Sequence, residues 1–218
     1  MEDVIYTIGY SGFSIGEFVE TLKKYNVSAI IDVRSSPYSG YYSDYNAELL
    51  ASVLKKNGIG YRSYALEFGA HQTDPALFTP KGYLDFNLYK KTNQFLDGTR
   101  KIEDGIVKGF TPALMCAEKK PMNCHRAILV AKWFSDNGYN VVHILPDGVT
   151  ETQEDIDDQL KDLYFPNRMQ LTIDTMDKTE EAWTKEAYEK ANEKIGYREA
   201  AEKDAGENEY EYPDLEAI

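Results

Sequence analysis

The sequence predicts an α/β protein: a mostly parallel sheet with helices on both faces in the three-layer, Rossmann-like manner, plus an acidic helical C-terminal extension. Three observations carry this. Short apolar runs at residues 4–9, 27–33, 112–117 and 141–145 alternate with segments of helical periodicity. Strands separated by helices join through right-handed crossovers, which makes neighbouring strands parallel. The charge is divided: residues 1–150 carry 16 basic and 16 acidic side chains, residues 151–218 carry 8 and 21, so the net −13 belongs wholly to the last third.

Val4–Gly9 reads as the first strand, closed by Gly9-Tyr10-Ser11-Gly12. Ser14 and Glu17 have the spacing of a capping box, and Phe18, Leu22 and Tyr25 share one face of the helix that follows. Residues 27–33 are apolar almost throughout, the pattern of a strand covered on both faces. After a polar, tyrosine-rich loop over 35–45, Asn46 is placed to cap a helix through Lys56, with Gly58 near its C-terminus. Residues 60–66 read as a third strand, 67–82 as a loop, and 83–108 as helix with a break near Gly98. The pattern then repeats. Residues 112–117 make a buried strand, 125–136 a helix closed by Asn137-Gly138, and 141–145 another strand. A helix over 152–163 follows Pro146-Asp147-Gly148, and an apolar patch at 170–173 is read as a closing edge strand. The α/β domain is therefore drawn as 1–173 and the acidic extension as 174–218, helical over 177–203 and disordered beyond.

With 218 residues, 42% of them hydrophobic, the chain can bury roughly 70% of its unfolded surface without metals or disulfides. That composition excludes disorder, collagen and disulfide scaffolds. No window reaches the roughly 18 uncharged apolar residues of a membrane span, and Met1-Glu2-Asp3 lacks a secretory layout. Two cysteines fit reduced thiols, so the expectation is a cytoplasmic protein with no membrane partner. The neutral first part can hold a local anion site; the acidic last part repels nucleic acid and anionic membranes.

In open α/β sheets ligands bind beyond the carboxyl ends of the strands, near a reversal in strand order. That places the site among loops 9–13, 34–45, 66–72 and 116–126. Within them Cys124 falls at the start of a helix, flanked by His125 and Arg126. A helix N-terminus and two basic neighbours depress a thiol pKa, giving a nucleophilic thiolate with Arg126 to hold an oxyanion or phosphate. The bland alternative makes Cys124 an inert cap and Cys116 a core strand residue. Asp32 and Arg34 share one face of the second strand by alternation and suit substrate orientation or acid/base work, with a structural ion pair as the alternative. Gly9, Tyr10 and Ser11 offer backbone amides to a phosphate, and the tyrosines of 35–45 suit stacking on a base. Cys116, Cys124 and His125, completed by Glu118 or His71, would form a zinc set. Seven residues separate the cysteines where a knuckle has two to four, so neither metal nor cofactor is expected. A disulfide between them needs Cα atoms within about 7 Å, which the sequence leaves open.

Tyr-Thr-Ile-Gly-Tyr-Ser (6–11), Ile-Asp-Val-Arg-Ser-Ser-Pro (31–37), Leu-Met-Cys-Ala-Glu (114–118) with Cys-His-Arg (124–126), and Val-Val-His-Ile (141–144) together resemble the bacterial and archaeal family called domain of unknown function 488. The resemblance covers about residues 4–173. It implies an α/β fold with Ser11, Asp32, Arg34, Cys116, Glu118, Cys124, His125 and Arg126 at signature positions, and it supplies no activity. This chain departs from the family pattern at Tyr10, where a histidine is usual, and at Gly69-Ala70-His71, where Gly-Gly-Arg is frequent. Gln170-Leu171-Thr172-Ile173-Asp174 is similar to the pentapeptide by which DNA-repair proteins dock on the sliding clamp, with Asp174 in place of the final aromatic anchor.

Two functional classes follow. One is an enzyme, a cysteine-dependent transferase or hydrolase acting on a phosphorylated or nucleotide-like substrate. Cys124, His125, Arg126, Asp32 and Arg34 would carry its chemistry, with Gly9, Tyr10, Ser11, Cys116 and Glu118 on the substrate. The alternative is a non-catalytic nucleotide- or nucleic-acid-associated binding protein, linked to DNA repair, with the acidic tail controlling access.

Overall fold

The computed structural model describes residues 4–170 and 177–198. Six strands form one sheet: β1 (Val4–Gly9), β2 (Ala29–Asp32), β3 (Gly60–Ser63), β4 (Pro112–Cys116), β5 (Asn140–Ile144) and β6 (Thr150–Thr152), in the order β3-β2-β4-β1-β5-β6. All pairings are parallel except that of β6 with β5. β6 is the strand with no signature in the sequence, because Thr-Glu-Thr is too short and polar to show an apolar period.

Each face of the sheet has its own core. Ile8, Ile30, Ala113, Met115 and Ile144 pack against α1 (Ile15–Lys24) and α2 (Ala47–Lys56). Ile5, Ile31, Val33, Leu114, Cys116 and Val141 pack on the other side, against α5 (Asn93–Val107), the helix that opens at Arg126, α7 (Gln153–Tyr164) and α8 (Glu180–Ile195). Alternation along the strands sorts the side chains, so the doubly covered, mostly parallel sheet is the expected one. The Ser14–Glu17 capping box forms as its spacing implies.

Three local features differ from expectation. Pairing of β2 with β3 stops after Ser63, and residues 64–66 do not continue the strand: Tyr64 lays its ring parallel on that of Phe68, and Ala65–Phe68 make a helical turn, α3. The helix expected over 83–108 is two, α4 (Phe86–Tyr89) and α5, separated at residues 90–92 where Thr92 caps α5, not at Gly98. Gly98 sits inside α5 because a Cβ there would lie 2.7 Å from both Glu67 and Phe68: the glycine permits close packing and does not break the helix. The segment expected as α-helix over 125–136 begins as a π-helix, Arg126–Ala131, and tightens into α6 (Lys132–Asp136).

A chain of side chains ties the sheet to α8. Thr7 on β1 donates to His143 Nδ1 on β5 (2.7 Å), and His143 Nε2 donates to the Gln153 carbonyl oxygen. The Gln153 amide in turn donates to Tyr188, whose hydroxyl donates to Asp157 at 2.5 Å. Ala187 and Ala191 of α8 are buried, and Asn192 bonds both Leu84 O and the Phe86 amide. Of the edge strand expected over 170–173 and the docking pentapeptide 170–174, all but Gln170 lies outside the described residues, as does the tail beyond residue 198. Among the described residues no helix is long and apolar enough to cross a membrane.

The connection from β1 runs toward β2 and β3, whereas that from β4 runs toward β5. Neighbouring strands whose connections depart in opposite directions leave a crevice between their carboxyl ends. Here that pair ends in Gly9 and Cys116, which lie opposite each other.

Candidate functional site

Beyond the β4 end, residues 117–123 loop over the crevice and return as the helix start at Cys124. The loop lies directly on β1. A Cβ on Gly9 would sit 1.9 Å from the Glu118 carbonyl oxygen, so only glycine fits. Tyr10 and Ser11 extend the ladder past the strand, their amides donating to Cys116 O and Ala117 O. This corrects the expectation that those two amides face a phosphate: the neighbouring strand has already taken them.

The loop's return brings three donor atoms together. Cys116 Sγ, Cys124 Sγ and a His125 ring nitrogen lie within 4.8 Å of one another, all buried, and both cysteines are free thiols. Seven intervening residues do not keep the cysteines apart, because one ends a strand and the other begins the helix packed on it. His125 Nε2 is 2.9 Å from the Val33 carbonyl, which fixes the proton on that nitrogen and turns the other toward Cys124. Burial pushes the Cys124 thiol up, but the Cys116 S–H donated to it, the Arg126 charge and the His125 ring together bring it well below the usual thiol range. Cys116, bonded to that sulfur and buried, is held well above the range. Burial lowers the His125 pKa, yet its bond to the Cys124 sulfur prevails and raises it. Of the two thiols, the one flanked by His125 and Arg126 is thus the more acidic and the strand-end Cys116 the less acidic.

Arg126 is fully buried and donates to two carbonyls, those of Glu118 and Lys119. Among the described residues its Nε has no hydrogen-bond partner, and neither does the buried Ser11 hydroxyl, whose backbone rests on the same loop. The Glu118 carboxylate does not enter the cluster; it accepts from the Lys120 amide. His71 lies at the surface against Tyr197, apart from the three donors.

Asp32 and Arg34 stand on the opposite face, with Ile30. Arg34 grips Asp32 through Nε (2.9 and 3.1 Å) and Nη2 (2.6 Å) and also donates to the Tyr45 carbonyl. Tyr61 donates to the same carboxylate at 2.7 Å. Burial alone would lower the Arg34 pKa, but Asp32 more than reverses that. Tyr10 and Tyr45 stack at 4.3 Å between their ring centres, beneath the Arg34 guanidinium. Tyr45 is therefore packing, while Tyr38 and Tyr41 of the same loop remain exposed. Sequence reasoning missed Tyr61, Tyr45 and the Val33 carbonyl. The last two act through backbone atoms, which leave no mark in a sequence, and Tyr61 is 29 residues from the carboxylate it meets.

Fold and cluster define the class: an open, doubly wound α/β protein with a buried cysteine–histidine–arginine centre at its topological switch point. The chain belongs to the family described as Domain of unknown function DUF488, whose model matches residues 14–133 and so spans Asp32, Arg34, Cys116, Glu118, Cys124, His125 and Arg126. No curated protein and no solved structure gives a match.

Proposed function

We propose that the protein is a cysteine-dependent enzyme whose Cys124 thiolate attacks an electrophile carried by a small anionic substrate. The observation that carries this is the buried arginine beside a thiolate. Among the described residues Arg126 has neither a carboxylate partner nor a hydrogen bond at Nε, while Cys124 is in contact with Cys116 on one side and His125 on the other. A buried charge without a full partner is expensive unless something supplies one, and a substrate oxyanion would. The Ser11 hydroxyl offers a second open donor at the same crevice. In this reading Cys124 forms the covalent bond, Arg126 and Ser11 hold the anion, and His125 returns a proton to the leaving group. Asp32 and Arg34 keep the loop over residues 35–45 in place rather than touching substrate.

Both sulfurs are covered, so substrate enters only when a loop over the crevice opens, and thiol modification reads that opening as well as the pKa. The test is the alkylation rate of each cysteine against pH, read by peptide mass, with and without inorganic phosphate. Cys124 should react with an apparent pKa well under the ordinary thiol value of about 8.5 and be protected by phosphate. In Arg126→Lys protection should disappear, because a point charge replaces the fork. If both cysteines stay inert until the protein unfolds, the reading fails.

A further inference from the structure

We propose that Cys116 is the second reacting thiol of this site, making Cys116 and Cys124 a two-electron dithiol centre for electrophilic sulfur or oxygen, in the form of a disulfide or a peroxide. This rests on the reading of Cys124 as the attacking thiolate and narrows its substrates.

The placement argues for it. Cys116 is not merely strand core: its sulfur lies within 4.8 Å of both the Cys124 sulfur and a His125 ring nitrogen, with no disulfide joining the two thiols. It closes β4, and Cys124 opens the helix laid on that strand, so rigid elements hold each sulfur beside the other. An adduct formed on Cys124 therefore meets a neighbouring thiol before any solvent nucleophile, at the high effective concentration of an intramolecular reaction. The two thiols also differ in the useful sense, Cys124 being shifted toward the thiolate and Cys116 away from it.

The electrons balance in two steps. With a peroxide ROOH, the Cys124 thiolate forms an S–O bond as the O–O bond breaks, giving a sulfenic acid and an alkoxide that takes up a proton as ROH. Cys116 then attacks the Cys124 sulfur; the S–O bond breaks, the Cys116 proton leaves with hydroxide as water, and a disulfide remains. With a disulfide XS–SX, attack expels one XS⁻, and Cys116 resolves the mixed disulfide by expelling the second, its proton going to a departing thiolate. In both cases the two cysteines are oxidised by two electrons and the substrate is reduced by two. A small external thiol regenerates the dithiol by the reverse exchange. A phosphoryl group on Cys124 offers no such exit, since a second thiol discharges S–S or S–O bonds but only passes a phosphoryl group along. Arg126, next to the departing anion, favours its release.

The experiment treats the reduced full-length chain with limiting hydrogen peroxide and with oxidised dithiothreitol, followed by intact and peptide mass. The wild type should lose two hydrogens, give a Cys116–Cys124 cross-linked peptide, and recover on reduction. Cys116→Ser, or Cys116→Ala if the hydroxyl is not tolerated, should instead accumulate a sulfenic acid on Cys124 that dimedone traps, and Cys124→Ser should do neither while folded. A wild type that accumulates the sulfenic acid without a disulfide overturns the role of Cys116 while leaving Cys124 as the nucleophile. Cysteines that react only in urea overturn both readings. Stoichiometric zinc in the purified protein that blocks oxidation until chelated also overturns the dithiol, making the three donors metal ligands.

Discussion

The sheet carries a buried arginine on each face, and they are held in opposite ways. Arg34, on the face of α1 and α2, meets a carboxylate through two nitrogens and has further acceptors in Tyr45 O and Pro37 O. Arg126, on the other face, has two carbonyls, an Nε without a partner among the described residues, and a charge that acts on the Cys124 sulfur. Similar depth and the same side chain therefore give two different centres. The first has its charge matched by a carboxylate within the fold. The second has no ion-pair partner among the described residues, and the group its charge acts on is a thiol, which can react or exchange a proton.

The comparison is most exposed to failure at Asp32. Removing one member of a buried ion pair strands the other, which typically costs about 3–5 kcal/mol. Asp32→Ala should therefore lower the urea midpoint severely, and adding Arg34→Met to it should recover much of the loss. A single substitution costing under about 1 kcal/mol would mean that the pair is not the closed structural unit described.

His143 gives the next largest effect. It lies on the face of Arg126, and burial followed by the Arg126 charge lowers its pKa to about 3. In the unfolded chain it titrates near 6.5, so as pH falls below that value the unfolded state binds a proton that the folded state refuses. Stability is then complete above about 6.5 and falls as the pH drops toward about 3. By pH 4 the loss is about 3 kcal/mol from this residue alone. His143→Gln should flatten that limb of a stability-versus-pH curve; an unchanged limb would place the acid sensitivity elsewhere.

How much of this could be read from residues alone follows from where each partner sits. The strands, the Ser14–Glu17 box and the placing of Cys124, His125 and Arg126 at a helix start were legible because their determinants are adjacent in the chain. The closure of Asp32 on Arg34 was visible only as one of two options. What decides it, Tyr61 and the Tyr45 carbonyl, comes from a neighbouring strand and from a backbone atom. Cys116 read as either core or a substrate contact because apolar strand position and reactive strand end look the same in sequence. Its meaning comes from the loop that returns Cys124 to it, and that return depends on Gly9 yielding space to the Glu118 carbonyl.

Gly9→Ala tests that dependence. A methyl group would overlap the Glu118 carbonyl and crowd Arg126 Nη2 at 3.1 Å, so loop and guanidinium must move together. Overpacking of this kind costs about 1–3 kcal/mol. The informative readout is the thiol: displacement of the loop should quicken Cys124 alkylation relative to the wild type at the same pH. A destabilised variant with unaltered thiol reactivity would show that the loop carries fold but not site.

The smallest expected change in stability belongs to Arg126→Met, and there the two arginines separate. Replacing a buried charge by an apolar side chain of similar volume is often neutral or better, provided no opposite charge is left behind. Arg34 fails that condition, because Asp32 would be stranded with Tyr61 as its remaining side-chain partner. Arg126 meets it: once the guanidinium is gone, Cys124 can take up a proton and become a neutral buried thiol, leaving two carbonyls to find other donors or water. The change in unfolding free energy should thus stay within about 1 kcal/mol, set by those carbonyls rather than by an orphaned charge. Over the same substitution the Cys124 alkylation pKa should climb toward the ordinary thiol value of about 8.5. A loss of 3 kcal/mol or more with an unmoved thiol pKa would make Arg126 a structural residue of the same kind as Arg34, and the thiolate would then owe its charge to Cys116 and His125.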